Sequence, residues 1–289
     1  MYWSRVKTIL IVLFLCINIF LLINMMITVN RTIVISTETV RNTIEVLQKN
    51  DITIKAEDIP TKIEQLSKLE IDNAIQDTDN FAEKVLGKGF DKQKAEGTNI
   101  YELGTATLKI TGCEFIYTNT AAAPELSVLN ADTAEQYCKK LLKRWGLNIE
   151  NLVLSDTEQK KDDTYLLTFQ YKYRDKNIYI NQDNGIKIEL SSEGSIFLKG
   201  YALAPRKLVS EKVPGRQATS ILIEFIRDPS RPKDQEMTIT DFCIGYYIDT
   251  KRDIIDFTYV KVSPVWRVMT DDGRVYYYDA VRSVEKSVK

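Results

Sequence analysis

The chain opens on an apolar block unlike anything after it. From Thr8 to Asn30 there is no Asp, Glu, Lys or Arg, and Ile9–Ile27 is dominated by Ile, Leu, Val, Phe and Met. A hydrocarbon core of roughly 30 Å needs about 20 helical residues, and a helix satisfies its own backbone groups in lipid. The block predicts a transmembrane helix over residues 8–30. Arg5 and Lys7 precede it, and Arg31 is the nearest charge behind it. Positive residues are retained on the cytoplasmic side, so residues 1–7 are expected inside and the remainder extracytoplasmic. A cleaved signal would carry small residues in an A-x-A-like pattern behind the apolar core. The sequence there is Leu22, Ile23, Asn24, Met25, Met26, Ile27, Thr28, Val29, so the helix is expected to stay attached as an anchor.

Behind the anchor the pattern shifts to short helices followed by alternating strands. Thr37 is placed to cap a helix in which Val40, Ile44 and Leu47 share a face, ending near Lys49 and Asn50. Ile52–Ile59 reads as extended and stops at Pro60; Leu66, Leu69 and Ile71 mark a further short element. A first unit then pairs a helix at Asn80–Gly87 with strands at Tyr101–Ile110 and Glu114–Thr118. A second pairs Ala134–Trp145 with strands at Tyr165–Tyr173, Lys176–Asn181, Gly185–Leu190 and Ser195–Ala202. A third pairs Gln217–Arg227 with Glu236–Tyr247, Ile254–Val262, Val265–Thr270 and Arg274–Ala280. One helix on a small antiparallel sheet buries one apolar face of each, so the fold class is α+β. The expected layout is 31–124 as a membrane-proximal helical and α+β region, 125–205 as one α+β repeat and 206–289 as a C-terminal α+β repeat. The boundaries fall near Ala121–Pro124 and Pro205–Pro214.

Composition narrows the chemistry. The 289 residues include no His and carry a net charge of −1. No Ser-His-Asp, Cys-His or His-containing zinc arrangement can be built, no residue can act as a phosphorylated histidine, and no basic footprint for nucleic acid is present. Neither a G-x-x-x-x-G-K-[ST] loop nor a G-x-G-x-x-G fingerprint occurs. Catalytic, cofactor-binding and metal-ligating residues are therefore expected to be none. Of the four Cys, Cys16 lies in the span, and Cys113, Cys138 and Cys243 read as small buried thiols, with a Cys113–Cys138 bridge left open. Asp162-Asp163 and Asp271-Asp272 flank strands and read as turns, as does Gln182–Gly185. Tyr246-Tyr247 and Tyr276-Tyr277-Tyr278 read as strand packing, with a binding platform as the competing reading. The basic stretch Arg206–Arg216 reads as a solvated linker. Asn18 and Asn24 are amides in or near hydrocarbon, where a lateral partner helix is worth about 0.6–2 kcal/mol to such a group; the alternative is a bond to the helix's own backbone.

The opening Trp3-Ser4-Arg5-Val6-Lys7-Thr8-Ile9, the apolar helix with Asn18 before Ile19-Phe20-Leu21-Leu22, and the ending Pro264-Val265-Trp266-Arg267-Val268 with Asp272-Gly273-Arg274-Val275-Tyr276-Tyr277-Tyr278-Asp279-Ala280 resemble the YycI family. Tyr2 stands where an acidic residue is usual. The resemblance implies a non-enzymatic single-pass accessory regulator of Gram-positive bacteria. It would act on a WalK-like sensor histidine kinase together with a YycH-like protein and tune cell-wall metabolism. Trp3, Asn18 and Asn24 are then the expected membrane contacts. The helix-on-sheet units also resemble PepSY-like domains, which implies an alternative role: an extracytoplasmic binding or protease-inhibitory module for wall polymer or protein.

Overall fold

The computed structural model describes residues 2–29, 34–120, 130–160, 164–180, 185–233, 235–249 and 257–281. Helix α1 (Tyr2–Val29) is followed by α2 (Thr37–Gln48), β1 (Ile52–Thr53), β2 (Gln65–Leu66) and β3 (Leu69–Asn73). Helix α3 (Thr78–Leu86) leads into β4 (Asp91–Ala95), β5 (Thr98–Leu103), β6 (Ala106–Thr111) and β7 (Glu114–Asn119). Helix α4 (Ala131–Arg144) precedes β8 (Leu152–Gln159), β9 (Thr164–Tyr173), β10 (Lys176–Ile180), β11 (Ile186–Ser191) and β12 (Ile196–Tyr201). After β13 (Leu203–Leu208) and β14 (Val213–Pro214), α5 (Ala218–Arg227) opens the last stretch, β15 (Met237–Ile248), β16 (Tyr259–Val262), β17 (Pro264–Thr270) and β18 (Val275–Asp279). The architecture is α+β, built on a large, mostly antiparallel sheet with an apolar helix at its N-terminal end.

Caps and turns explain the helix boundaries. Asp77 accepts from the backbone N–H groups of Asp79 and Asn80, satisfying donors that α3 leaves open. Asn130 and Thr133 form a reciprocal capping box on α4. The cap of α2 is Ser36, whose Oγ accepts from the Thr39 N–H at 3.2 Å, and not the expected Thr37, which is already helical.

One antiparallel run of the sheet follows the order β8-β9-β11-β12-β7-β6-β5-β4. Its strands alternate as a one-sided sheet demands: Ile186, Ile188 and Leu190 are buried while Lys187, Glu189 and Ser191 point the other way. Helices α3 and α4 cover the apolar side, where Phe81, Ala134, Cys138 and Leu142 pack with Phe115, Leu167, Phe169 and Ile188 in one core. Each of the Leu, Ile and Phe side chains among them contributes about 1.5–3 kcal/mol on burial. The two helix-led stretches thus share a single sheet, joined where β7 pairs with β12.

Strand β9 is a fork. Tyr171 pairs with Leu152 on one side and with Ile178 on the other, while β11 occupies that second side from Thr164 to Phe169. From the fork, β10 runs parallel to β15 through Ile178↔Tyr246, and the sheet continues through β17 to β18. A second core lies here. Ile221, Leu222 and Phe225 of α5 pack on Phe242, Trp266, Val268 and Tyr276, and Val40 and Leu47 of α2 close the same cluster. The first helix after the anchor therefore packs with the last strands of the chain.

The basic stretch Arg206–Arg216 is largely exposed, as expected of a solvated connection, but it is tied to the fold at both ends. Strand β13 pairs with β3, and the Arg206 guanidinium lies 3.4 Å from Glu70 and 3.8 Å from Asp72. Arg216 donates from its backbone to the Ala280 carbonyl at 2.7 Å and forms an ion pair with Glu224. Arg206, Lys207, Glu211 and Lys212 remain exposed to water.

Candidate functional site

Alternation along β17 and β18 divides the tyrosine-rich ending between two faces. Trp266 and Val268, with Tyr276 and Tyr278, turn to the helices. Arg267 and Tyr277 pair across the strands and share the opposite face with Cys243, which is opposite Arg267. Tyr179 and Tyr247 meet on that face through the parallel β10–β15 ladder. The expected packing role thus holds for Tyr276 and Tyr278, with Tyr278 donating to Asp228 at 2.6 Å. Tyr247 and Tyr277 instead stack on each other, ring centres 4.1 Å apart, on the side away from the helices.

The centre of this face is Arg267, only 8% exposed. Its guanidinium pairs with Asp241 and lies 4.9 Å from the Tyr179 ring centre. Tyr179 is held by Asn177, whose Nδ2 donates to its hydroxyl at 3.2 Å, and that hydroxyl is 3.3 Å from the Cys243 Sγ. Gly245 makes room for the ring: a Cβ there would lie 2.6 Å from Tyr179 Cε2 and 2.7 Å from the Asn177 carbonyl oxygen. Burial pushes the Tyr277 phenol up to about 12, against the lowering effect of Arg267, and burial likewise raises Tyr179 and the Cys243 thiol. All three stay protonated at neutral pH, so the cluster offers ring faces and hydrogen bonds rather than a nucleophile. A cavity of about 590 Å³ adjoins it, lined by Arg267, Met269, Arg274 and Tyr277 among others. Among the described residues no group of three or more His, Cys, Asp or Glu is placed to hold a metal ion.

The expected membrane contacts lie on α1. Trp3 is 73% exposed, with the Lys7 ammonium 5.9 Å from its ring centre. The Asn18 Nδ2 donates to the Phe14 carbonyl at 3.0 Å, so the amide is satisfied by its own helix. Asn24 falls within the helical span of α1. Val6–Ile23 is long and apolar enough to cross a membrane, with none of it buried inside the protein, which fits a single-pass protein.

The acidic pairs separate. Asp271-Asp272-Gly273 is a turn: Asp272 accepts from the Arg274 N–H at 3.1 Å and from Thr270 Oγ1 at 2.6 Å, and Gly273 has φ +80°. Asp162-Asp163 and residues 182–184 lie outside the described residues. Cys113, Cys138 and Cys243 are not joined in disulfides, so the Cys113–Cys138 bridge is not formed. Sequence reasoning gave Arg267 no site role, although it lies in the Pro264–Val268 ending, and missed Tyr179; the one available local signal was Gly245 inside an otherwise bulky strand.

The profile of the YycI protein family matches residues 30–281, nearly all of the chain behind the anchor helix. The chain belongs to the YycI family. YycI proteins are regulatory accessory proteins associated with the WalK and YycH two-component system. The match leaves out the N-terminal run from Trp3 to Leu22, so the family assignment rests on the folded portion. A search of curated proteins gives no match. Among solved structures, an uncharacterized protein from Eubacterium rectale ATCC 33656 is similar at 14% identity and a TM-score of 0.48, covering 88% of this chain and 93% of that one.

Proposed function

We propose that this YycI-family protein is a membrane-anchored, non-enzymatic regulator of a WalK-like sensor histidine kinase that controls cell-wall metabolism. It acts beside a YycH-like protein, with residues 1–7 cytoplasmic and the α+β portion, built of PepSY-like units, extracytoplasmic. The family match over residues 30–281 carries the reading, and the long apolar helix ahead of it supplies the tether. Arg5 and Lys7 before the span support the orientation.

Regulation by lateral contact requires two arrangements of the helices with different contact energies. In this reading Trp3 anchors the helix at the inner interface, and the amides at positions 18 and 24 are the contacts proposed for partner helices. Asn18 already has a backbone acceptor at 3.0 Å, but an amide has two N–H donors and an acceptor oxygen, so capacity for a second helix is left over. Crosslinking in native membranes followed by co-purification tests this. Asn18→Leu is expected to weaken recovery of the kinase or the YycH-like protein about threefold to tenfold, in line with the loss of one interhelical amide contact. Undiminished recovery and signalling would remove that role from Asn18. Recovery of the mature chain free in the culture medium, cut behind the helix, would overturn the tethered mechanism altogether.

A further inference from the structure

A second concavity lies far along the sheet from Arg267, where the ends of β7, β12, β11 and β9 come together. It has a volume of about 520 Å³. The register explains its composition. Phe197 stands opposite Glu189 on one side and Thr118 on the other, on the face that α3 and α4 do not cover. The Ser192–Gly194 turn forms one wall and the exit of β7 at Thr120 another. Hydroxyl side chains from Thr118, Thr120, Thr164, Ser191, Ser192 and Ser195 line it, while Phe197 is 41% exposed within it. Lys160 donates to Glu189 at 2.8 Å across the floor, and Ser191 and Ser195 share a hydrogen bond of 2.7 Å.

The geometry points to a neutral saccharide as the ligand of this groove. A pyranose ring has an apolar face of C–H groups and a rim of hydroxyls. An exposed phenyl ring matches the first by dispersion and quadrupole attraction. A carboxylate and a ring of hydroxyls match the second, since each hydroxyl both donates and accepts. The volume lies within the usual range for small-molecule sites, about 300–1,000 Å³. Charge selects against anions: Glu189 and Glu193 outnumber Lys160, which already pairs with Glu189. Topology selects against peptides that bind by strand addition. Strands β9, β11, β12 and β7 are each paired on both sides, so the groove offers no free ladder. Glu189 accepts from vicinal hydroxyls, Phe197 stacks on the sugar face, and Lys160 holds the carboxylate in place.

The test uses the full chain in nanodiscs of phosphatidylcholine and phosphatidylglycerol, which bring no sugar headgroup. Chitohexaose and cellohexaose are titrated by calorimetry, with a Ser/Gly hexapeptide as comparison. At least one hexasaccharide is expected to bind saturably. Phe197→Ala should weaken it about tenfold, the equivalent of losing one aromatic contact. Glu189→Gln should weaken it about fivefold through loss of a charge-assisted bond. Val153→Ala, at an exposed site on β8, should leave it unchanged. Thermal melts check folding, and Phe197→Leu, which keeps apolar bulk but removes the ring, replaces Phe197→Ala if that variant unfolds. Absence of binding by both saccharides, indifference to loss of the Phe197 ring, or equal binding of the hexapeptide would each overturn the assignment. The kinase-regulator reading is decided separately, by membrane crosslinking.

Discussion

Tyr171 shows how single side chains hold the sheet fork in shape. Its hydroxyl donates to the Tyr201 carbonyl at 2.7 Å and accepts from the Leu203 N–H at 3.2 Å, both in the buried core. Tyr171→Phe removes both of these buried bonds, so a loss of about 1–3 kcal/mol is expected by urea denaturation. A surface trio behaves differently. Asp79 accepts from the Lys92 ammonium and from the Tyr101 hydroxyl, which hold its carboxyl below its ordinary value of 3.8; the same carboxylate holds Lys92 above its ordinary 10.5. A depressed carboxyl stabilises above its unfolded value and loses that as pH falls through the folded one. A raised ammonium stabilises below its unfolded value and loses that as pH rises through the folded one. The trio's contribution is thus flat from about pH 5 to 9. Wild type and Asp79→Asn should differ in melting temperature at pH 7 and converge in strong acid; an unchanging gap would show that charge is not the cause. Residue chemistry was only partly legible in the sequence. The turn at Asp272 could be read from its own neighbours, whereas Tyr171 bonds to residues 30 and 32 positions away, and nothing local announces them.

At the scale of elements, legibility follows apolar alternation. Helices α3, α4 and α5 and strands β7, β11, β12 and β17 stand within a few residues of where the pattern puts them, since each has one face to bury. Strands β4, β8 and β13 escaped because they lack that signature. Every residue of β4 is exposed and it pairs only with β5, so its polar Asp91-Lys92-Gln93-Lys94 is an edge strand protected by charge. In β13, Pro205 is tolerated because the strand pairs with β3 alone, and the register shifts there. Two substitutions probe element packing. Leu47 is fully buried between α2 and the C-terminal core, and Leu47→Ala should cost about 2–5 kcal/mol in chemical denaturation. Gly245→Ala drives a methyl group into Tyr179 and the Asn177 carbonyl, and should cost about 1–3 kcal/mol. It should also quench the Tyr179–Tyr277 contact, read as a change in near-ultraviolet circular dichroism; an unaltered spectrum would mean that the ring has room to move.

For the whole molecule, the α+β class was readable, since helix-then-hairpin periodicity admits few other packings. The joins were not. Parallel ladders form between β10 and β15 and between β1 and β15, where local hairpins alone predict antiparallel pairing. Tyr246 donates to the Ser67 carbonyl across 179 residues at 3.1 Å, and β13 returns to pair with β3, Leu203 opposite Asn73. Such contacts are chosen by the shape of the completed core, because closing loops of this length costs entropy that only global packing repays. The candidate site follows the same rule: its tyrosines were visible, but the arginine that organises them was recognisable only once three strands had met.

The packing of α2 on α5 also fixes an order of manufacture. The stripe formed by Val40 and Leu47 leaves the ribosome early, yet the surface that covers it, Ile221 to Tyr278, is made last. Until α5 is made this greasy seam is only partly covered and is open to misassembly. A premature stop codon ahead of Ala218 therefore does more than shorten the polypeptide: it leaves the seam beside the anchor without α5 to cover it, and the truncated product is expected to be cleared by proteolysis.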